Sequence, residues 1–177
     1  MDLKHYYKTT PPRCLAGFRP VAVRPRKADA AWRLRCTCGS EEGAILGHPL
    51  GALKPGFEES ELMVSPFFFR CAGCERVTSV IDTAEHGEGS EFARLEGRGD
   101  GCAAYRGEGE PEPAVCPNCG AARAAAVVRL TYHDDRIADF EADPSFPLAD
   151  YFDWFRLSCE CSVCGREWEV SVIDTKP

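Results

Sequence analysis

The chain has no run of eighteen or more consecutive apolar residues and no apolar segment within Met1 to Thr10. The sequence therefore predicts neither a membrane-spanning helix nor an export signal. Catalytic signatures are missing as well. His-Glu-x-x-His, Gly-x-x-x-x-Gly-Lys-Ser/Thr, a Ser elbow and the His-x-Glu with Pro-Cys-x-x-Cys of zinc deaminases do not occur. Histidine is scarce, with His5, His48, His86 and His133 the four in the chain. His48 and His133 are candidates to replace a metal ligand or act as a base, against the plainer reading of each as a loop or surface residue. Gly97, Gly99 and Gly101 precede neither a clear strand nor a clear helix, so they form no phosphate cradle. These absences point away from an enzyme. Helix signals are also few, since Val127, Val128, Thr131 and Tyr132 pull the segment after Ala121 toward strand.

Hydrophobic residues at 44% and charged residues at 28% exclude a disordered or fibrous chain. A length of 177 residues allows one compact domain or two small ones. Against this ordinary background stand eleven cysteines. An odd number cannot pair fully into disulfides within one chain. Without an export signal, such a chain is expected in the reducing cytoplasm, where paired cysteines more often bind metal.

Charge is unevenly spread over the net −7. Residues 1–35 carry nine Lys/Arg and two acids, a balance of +7, whereas the remaining 142 residues carry twelve basic and twenty-six acidic residues, a balance of −14. The expected organisation is a basic N-terminal arm over 1–29, a first half over 30–83, a glycine-rich linker or hairpin loops over 84–112, and a second half over 113–177.

The two halves repeat a pattern. Cys36-Thr37-Cys38-Gly39, Cys71-Ala72-Gly73-Cys74 and Ser79-Val80-Ile81-Asp82-Thr83 are answered by Cys116-Pro117-Asn118-Cys119-Gly120, Cys161-Ser162-Val163-Cys164-Gly165 and Ser171-Val172-Ile173-Asp174-Thr175. The identical closing string is read as the same strand in both halves, a mark of internal duplication. Around the cysteines, Trp32, Leu34 and Cys36, then Phe67, Phe69 and Cys71, then Phe155, Leu157, Cys159 and Cys161 recur at period two, so each pair sits at a turn between strands. The fold class is mostly β, with little helix. Residues 144–151 read as a turn or a single helical turn.

Four thiolates satisfy a tetrahedral structural zinc ion completely, and a Cys-x-x-Cys turn presents two of them on one side of the metal. The pairs group as Cys36, Cys38, Cys71 and Cys74, and as Cys116, Cys119, Cys161 and Cys164, with Cys14, Cys102 and Cys159 left over. Cys159 takes the place of Phe69 and is expected in the core. In this pattern the chain resembles the zinc-ribbon superfamily, rubredoxin-like in the broad sense. The resemblance implies two tandem zinc-ribbon-like β domains and two Zn2+ ions. The first site departs from the family pattern. Cys36-Thr37-Cys38 is one residue short and Cys74 is followed by Glu75 where Cys164 is followed by Gly165. It is expected to be strained, weaker, differently ligated or lost, and the second site is the safer of the two.

The sequence carries three functional readings. In the first, a non-enzymatic module binds a basic protein partner through its acidic body, with Asp139, Phe140, Tyr151, Phe152 and Trp154 as aromatic and acidic anchors. In the second, Arg13, Arg19, Arg24, Arg26 and Lys27 of the arm contact nucleic-acid phosphates, with Tyr6, Tyr7, Phe18 and Trp32 available to stack on bases. In the third, iron in a four-thiolate site carries electrons.

Overall fold

A computed structural model describes residues 2–53, 56, 60–87, 106–142 and 151–174. In chain order the elements are α1 (Leu3–Thr9), a 3-10 turn (Arg13–Leu15), β1 (Val21–Ala22), β2 (Ala30–Arg33), β3 (Glu42–Pro49), α2 (Leu50–Leu53), β4 (Met63–Cys71) and β5 (Val77–Ile81). They continue with β6 (Glu112–Pro113), β7 (Ala124–Thr131), α3 (Asp134–Ala142), β8 (Trp154–Cys161) and β9 (Glu167–Asp174). The fold is mostly β, as the period-two patterning predicts.

Two antiparallel meanders, β3-β4-β5 and β7-β8-β9, make up most of the sheet. They join where β3 and β7 pair through Glu42 with Ala125 and Gly43 with Ala124. Each of these central strands has its own meander partner on one edge. On the other edge it receives a short strand from the opposite half. β2 pairs with β7, and β6 pairs with β3. The exchange is reciprocal down to single hydrogen bonds. Leu34, two residues before Cys36, donates its N–H to the Ala126 carbonyl at 2.9 Å, and Ala114, two residues before Cys116, donates to the Ile45 carbonyl at 2.8 Å. A side chain at Gly43 would run into the Phe69 ring and the Arg70 carbonyl, so this junction between the meanders requires glycine.

The two halves share one sheet over one core. Phe67 of the first meander and Phe155 of the second stack with ring centroids 6.3 Å apart, and both belong to a single cluster with Phe69, Val80, Val128, Leu157 and Val170. The expected N-terminal arm also belongs to the body. Leu3, Tyr7, Leu15 and Phe18 are buried in that same cluster, with Tyr7 stacked on Tyr132 at 4.9 Å, and β1 pairs with β2. Apolar residues spaced between the cations thus fasten the segment. Asp2 caps α1, accepting a hydrogen bond from the His5 N–H at 3.1 Å.

Two further expectations change. The acidic segment after His133, read as a loop, begins with α3, whose first turn carries Asp134 and Asp135 at the end that favours anions. The repeated Ser-Val-Ile-Asp-Thr string does not mark equivalent positions. Both hairpins have a bulge four residues before the cysteine, at Phe67/Phe68 and at Leu157/Ser158. Opposite these bulges stand Ile81 and Ser171, not Ser79 and Ser171. The string is shifted by two residues between the strands. Because side chains alternate with period two, such a shift leaves every residue on its original face, so one string fits both strands at different heights. Residues 88–105 of the expected glycine-rich seam, with Cys102, lie outside the described residues, as do 143–150 and Thr175.

Candidate metal centres and a cationic sheet face

Each strand-end cysteine is buried and its turn-tip partner exposed: Cys36, Cys71, Cys116 and Cys161 are buried, and Cys38, Cys74, Cys119 and Cys164 exposed. They form two groups of four whose sulfurs lie within 4.8 Å of one another. The cross-pairs Cys36–Cys74 and Cys38–Cys71 are 3.6 and 3.5 Å apart, and Cys116–Cys164 and Cys119–Cys161 are each 3.6 Å apart. A disulfide needs about 2.05 Å. Four sulfurs placed tetrahedrally at about 2.3 Å from one cation are roughly 3.8 Å apart, so the donor set fits a metal ion in both places. Backbone amides support the sulfurs, with the Gly73 N–H donating to Cys71 Sγ at 3.3 Å and the Val163 N–H to Cys161 Sγ at 3.4 Å.

The short first knuckle closes by a tighter turn. Gly39 donates to the Cys36 carbonyl three residues back, whereas Gly120 donates to the Cys116 carbonyl four residues back. Both glycines have positive φ, 99° and 72°. At the other knuckles Glu75 and Gly165 take φ of 58° and 70°, so Glu75 adopts the left-handed conformation that its glycine counterpart adopts without penalty.

The thiols are electrostatically uneven. Burial pushes the Cys71 thiol up, but the Gly73 and Cys74 amides and the neighbouring thiols outweigh it and bring it down to about 6. The Arg166 amide leads in bringing Cys164 down to about 6. The Arg76 amide lowers Cys74, yet the neighbouring thiols and burial push it up to about 11. Cys119 is likewise lowered by the Ala121 amide but pushed up to about 12 by burial and its neighbours. One thiolate in such a cluster opposes the next, and a cation removes that opposition.

The two centres sit at one end of the sheet. Cys71, Gly43, Ala124 and Cys161 form one row across β4, β3, β7 and β8, which separates the two cysteine backbones by roughly 14 Å at ~4.8 Å per strand. Ala72 and Ser162, the residues following Cys71 and Cys161, donate to the Glu42 and Arg123 carbonyls. The Arg123 and Glu42 side chains pair in turn, with Nε to Oε2 at 2.7 Å.

The sheet face away from the core carries the second cluster. Arg33 of β2, Arg129 of β7 and Arg156 of β8 occupy the outward positions between buried neighbours. The segment after β1, held by the Val23 N–H donating to the Ala31 carbonyl, lies beside them. Arg24, Arg26, Arg33 and Arg129 line a cavity of about 210 Å³ with Ser158, Glu160 and Glu167. Lys27, Arg156, Trp168 and Glu169 extend it into an adjoining groove. Arg24, Arg26 and Lys27 of the N-terminal cations thus come to this face. Arg13 and Arg19 are exposed but are not among the residues lining it.

Tyr151 and Phe152, expected as partner anchors, are 1% and 0% exposed and serve the core. Trp154 is half-buried on β8. Asp139 and Phe140 lie on α3, their side chains outside the description. His48 and His133 stand in neither cysteine group. Cys159 is in the core, where burial pushes its thiol up to about 12. Arg33, Arg129 and Arg156 are the residues that sequence reasoning missed, although their alternation with Trp32, Val128, Leu130, Phe155 and Leu157 assigns all three to the side opposite the core. Comparisons with protein-family models, with curated proteins and with solved structures returned no match.

Proposed function

We propose that this chain is a non-enzymatic zinc protein that binds nucleic acid, with two zinc-ribbon-like centres pinning one end of the sheet and the arginine-bearing outer face meeting the phosphate backbone. The observation that carries the reading is the convergence of Arg24, Arg26 and Lys27 with Arg33, Arg129 and Arg156 on a single face. In a chain of net charge −7, the cavity is lined by four arginines and two glutamates, so the positive charge is concentrated where a ligand fits. Closed four-thiolate sites suit zinc, whose d10 shell accepts the tetrahedron and leaves no open position for catalysis. The burial of Tyr151 and Phe152 takes two anchors from the acidic partner surface. The reciprocal strand exchange supports descent of the two halves from one duplicated unit.

Fluorescence anisotropy with short labelled RNA, single-stranded DNA and duplex DNA tests the binding. With about four phosphates contacted on a single strand, the affinity is expected to fall roughly 50-fold between 50 and 200 mM salt. Absence of binding at the lower salt, or a salt-independent signal, contradicts the reading.

A further inference from the structure

Arg129 and Arg156 are register partners on β7 and β8, which places two guanidinium-bearing side chains directly opposite each other, with Cβ atoms ~5 Å apart. Like charges in that position repel. Arg156 is answered by Glu169 at 3.5 Å. Among the described residues Arg129 meets no carboxylate, and its guanidinium donates to the Ser158 hydroxyl. On the other side of β7, Arg33 pairs with Val127 and is thus the diagonal neighbour of Arg129, within reach for long side chains. Arg33 contacts Glu41 through Nη1 at 3.4 Å, while its Nε is buried without a hydrogen-bond partner among the described residues. An arrangement that collects guanidinium groups opposite and diagonal to one another is costly for an empty face. It is what a tetrahedral oxyanion repairs, since the guanidinium fork matches phosphate oxygens in pairs.

We infer that Arg33, Arg129 and Arg156, together with the Ser158 hydroxyl, form a seat for one phosphate group. The inference rests on the nucleic-acid reading for the source of that phosphate, although inorganic phosphate and pyrophosphate offer the same oxygens. Arg24 and Arg26 bound the cavity from the N-terminal segment and steer the strand toward it. Glu160 and Glu167 on the same cavity repel a second anion, which confines the seat to one group. A seated phosphate fixes the register of the bound strand on the sheet, the positioning role that backbone contacts serve.

The test uses the full zinc-loaded chain, with thermal shift on adding pyrophosphate and anisotropy of a labelled single-stranded oligonucleotide. Pyrophosphate is expected to raise the melting temperature of the wild type and to compete with the oligonucleotide. Arg129→Gln is expected to lose the thermal shift and at least tenfold in oligonucleotide affinity. Arg129→Lys, which keeps the charge but not the fork, is expected to recover only part of it. Arg26→Gln at the rim loses about two- to threefold. In phosphate-free buffer Arg129→Gln melts no lower than the wild type, because a like-charge pair is removed, and this separates lost binding from lost folding. If the oligonucleotide binds Arg129→Gln as well as Arg26→Gln and pyrophosphate shifts nothing, the seat is overturned while the nucleic-acid reading stands. If pyrophosphate binds through Arg129 and no oligonucleotide binds, the seat stands and the nucleic-acid reading fails.

Discussion

Glu75 holds a conformation that its counterpart Gly165 takes freely, with φ of 58° against 70°. For an L-residue the left-handed region costs roughly 1–2 kcal/mol, part of which glycine returns through greater freedom in the unfolded chain. Glu75→Gly is therefore expected to stabilise the protein by about 0.5–1 kcal/mol, or about 1–3 °C in melting temperature for a chain of this size, with metal content unchanged. A lower melting temperature at equal metal content contradicts the strain argument. At this scale the two four-cysteine groups that could hold a metal ion were legible, because knuckle spacing is local and the exchange of Gly for Glu after Cys74 is visible in the letters. The arginine face was not, because Arg33 and Arg129 become neighbours only through the register of β2 on β7.

The β4-β5 hairpin is fastened beyond its ladder by a returning segment. Arg106 Nε and Nη2 donate to the Asp82 carboxylate at 3.0 Å each, and the Gly107 N–H donates to the Ser65 carbonyl at 2.7 Å. Burial pushes the Asp82 carboxyl up, but the Arg106 hydrogen bonds, the Ala84 amide and the nearby positive charge outweigh it and hold the carboxyl below its ordinary value of 3.8. A depressed carboxyl contributes stability that is present above the unfolded-state value and is lost as pH falls through the folded-state value. Asp82→Asn is expected to melt below the wild type at neutral pH, with the gap narrowing as pH falls below about 4. Both proteins share whatever the thiolates lose in acid, so the gap reports Asp82 alone. A gap that stays constant with pH removes the ion pair from the account. Element types were largely legible from alternation. The position of the Ser-Val-Ile-Asp-Thr string was not, because a two-residue shift preserves facing, and α3 was hidden by reading its acidic first turn as solvated loop.

In the whole molecule the halves are interlocked. β2 lies on the second meander, β6 on the first, and Phe67 on Phe155. The cysteine pattern read as two tandem halves, since sequence spacing reports contacts inside each half and is blind to strands that cross between them. The cations of residues 1–35 read as an arm for a related reason, as Leu3 with Tyr7 and Leu15 with Phe18 supply only two isolated helically spaced pairs, short of a continued apolar face. Small folds with metal centres draw much of their stability from the metal, about 10–16 kcal/mol for structural zinc in zinc-finger peptides, so metal held in both four-cysteine groups would support the shared core. Native mass spectrometry of the chain purified without added metal tests this most directly. The account predicts one folded species carrying two zinc ions. A compactly folded chain that carries no metal, a single zinc or iron in place of zinc would contradict it.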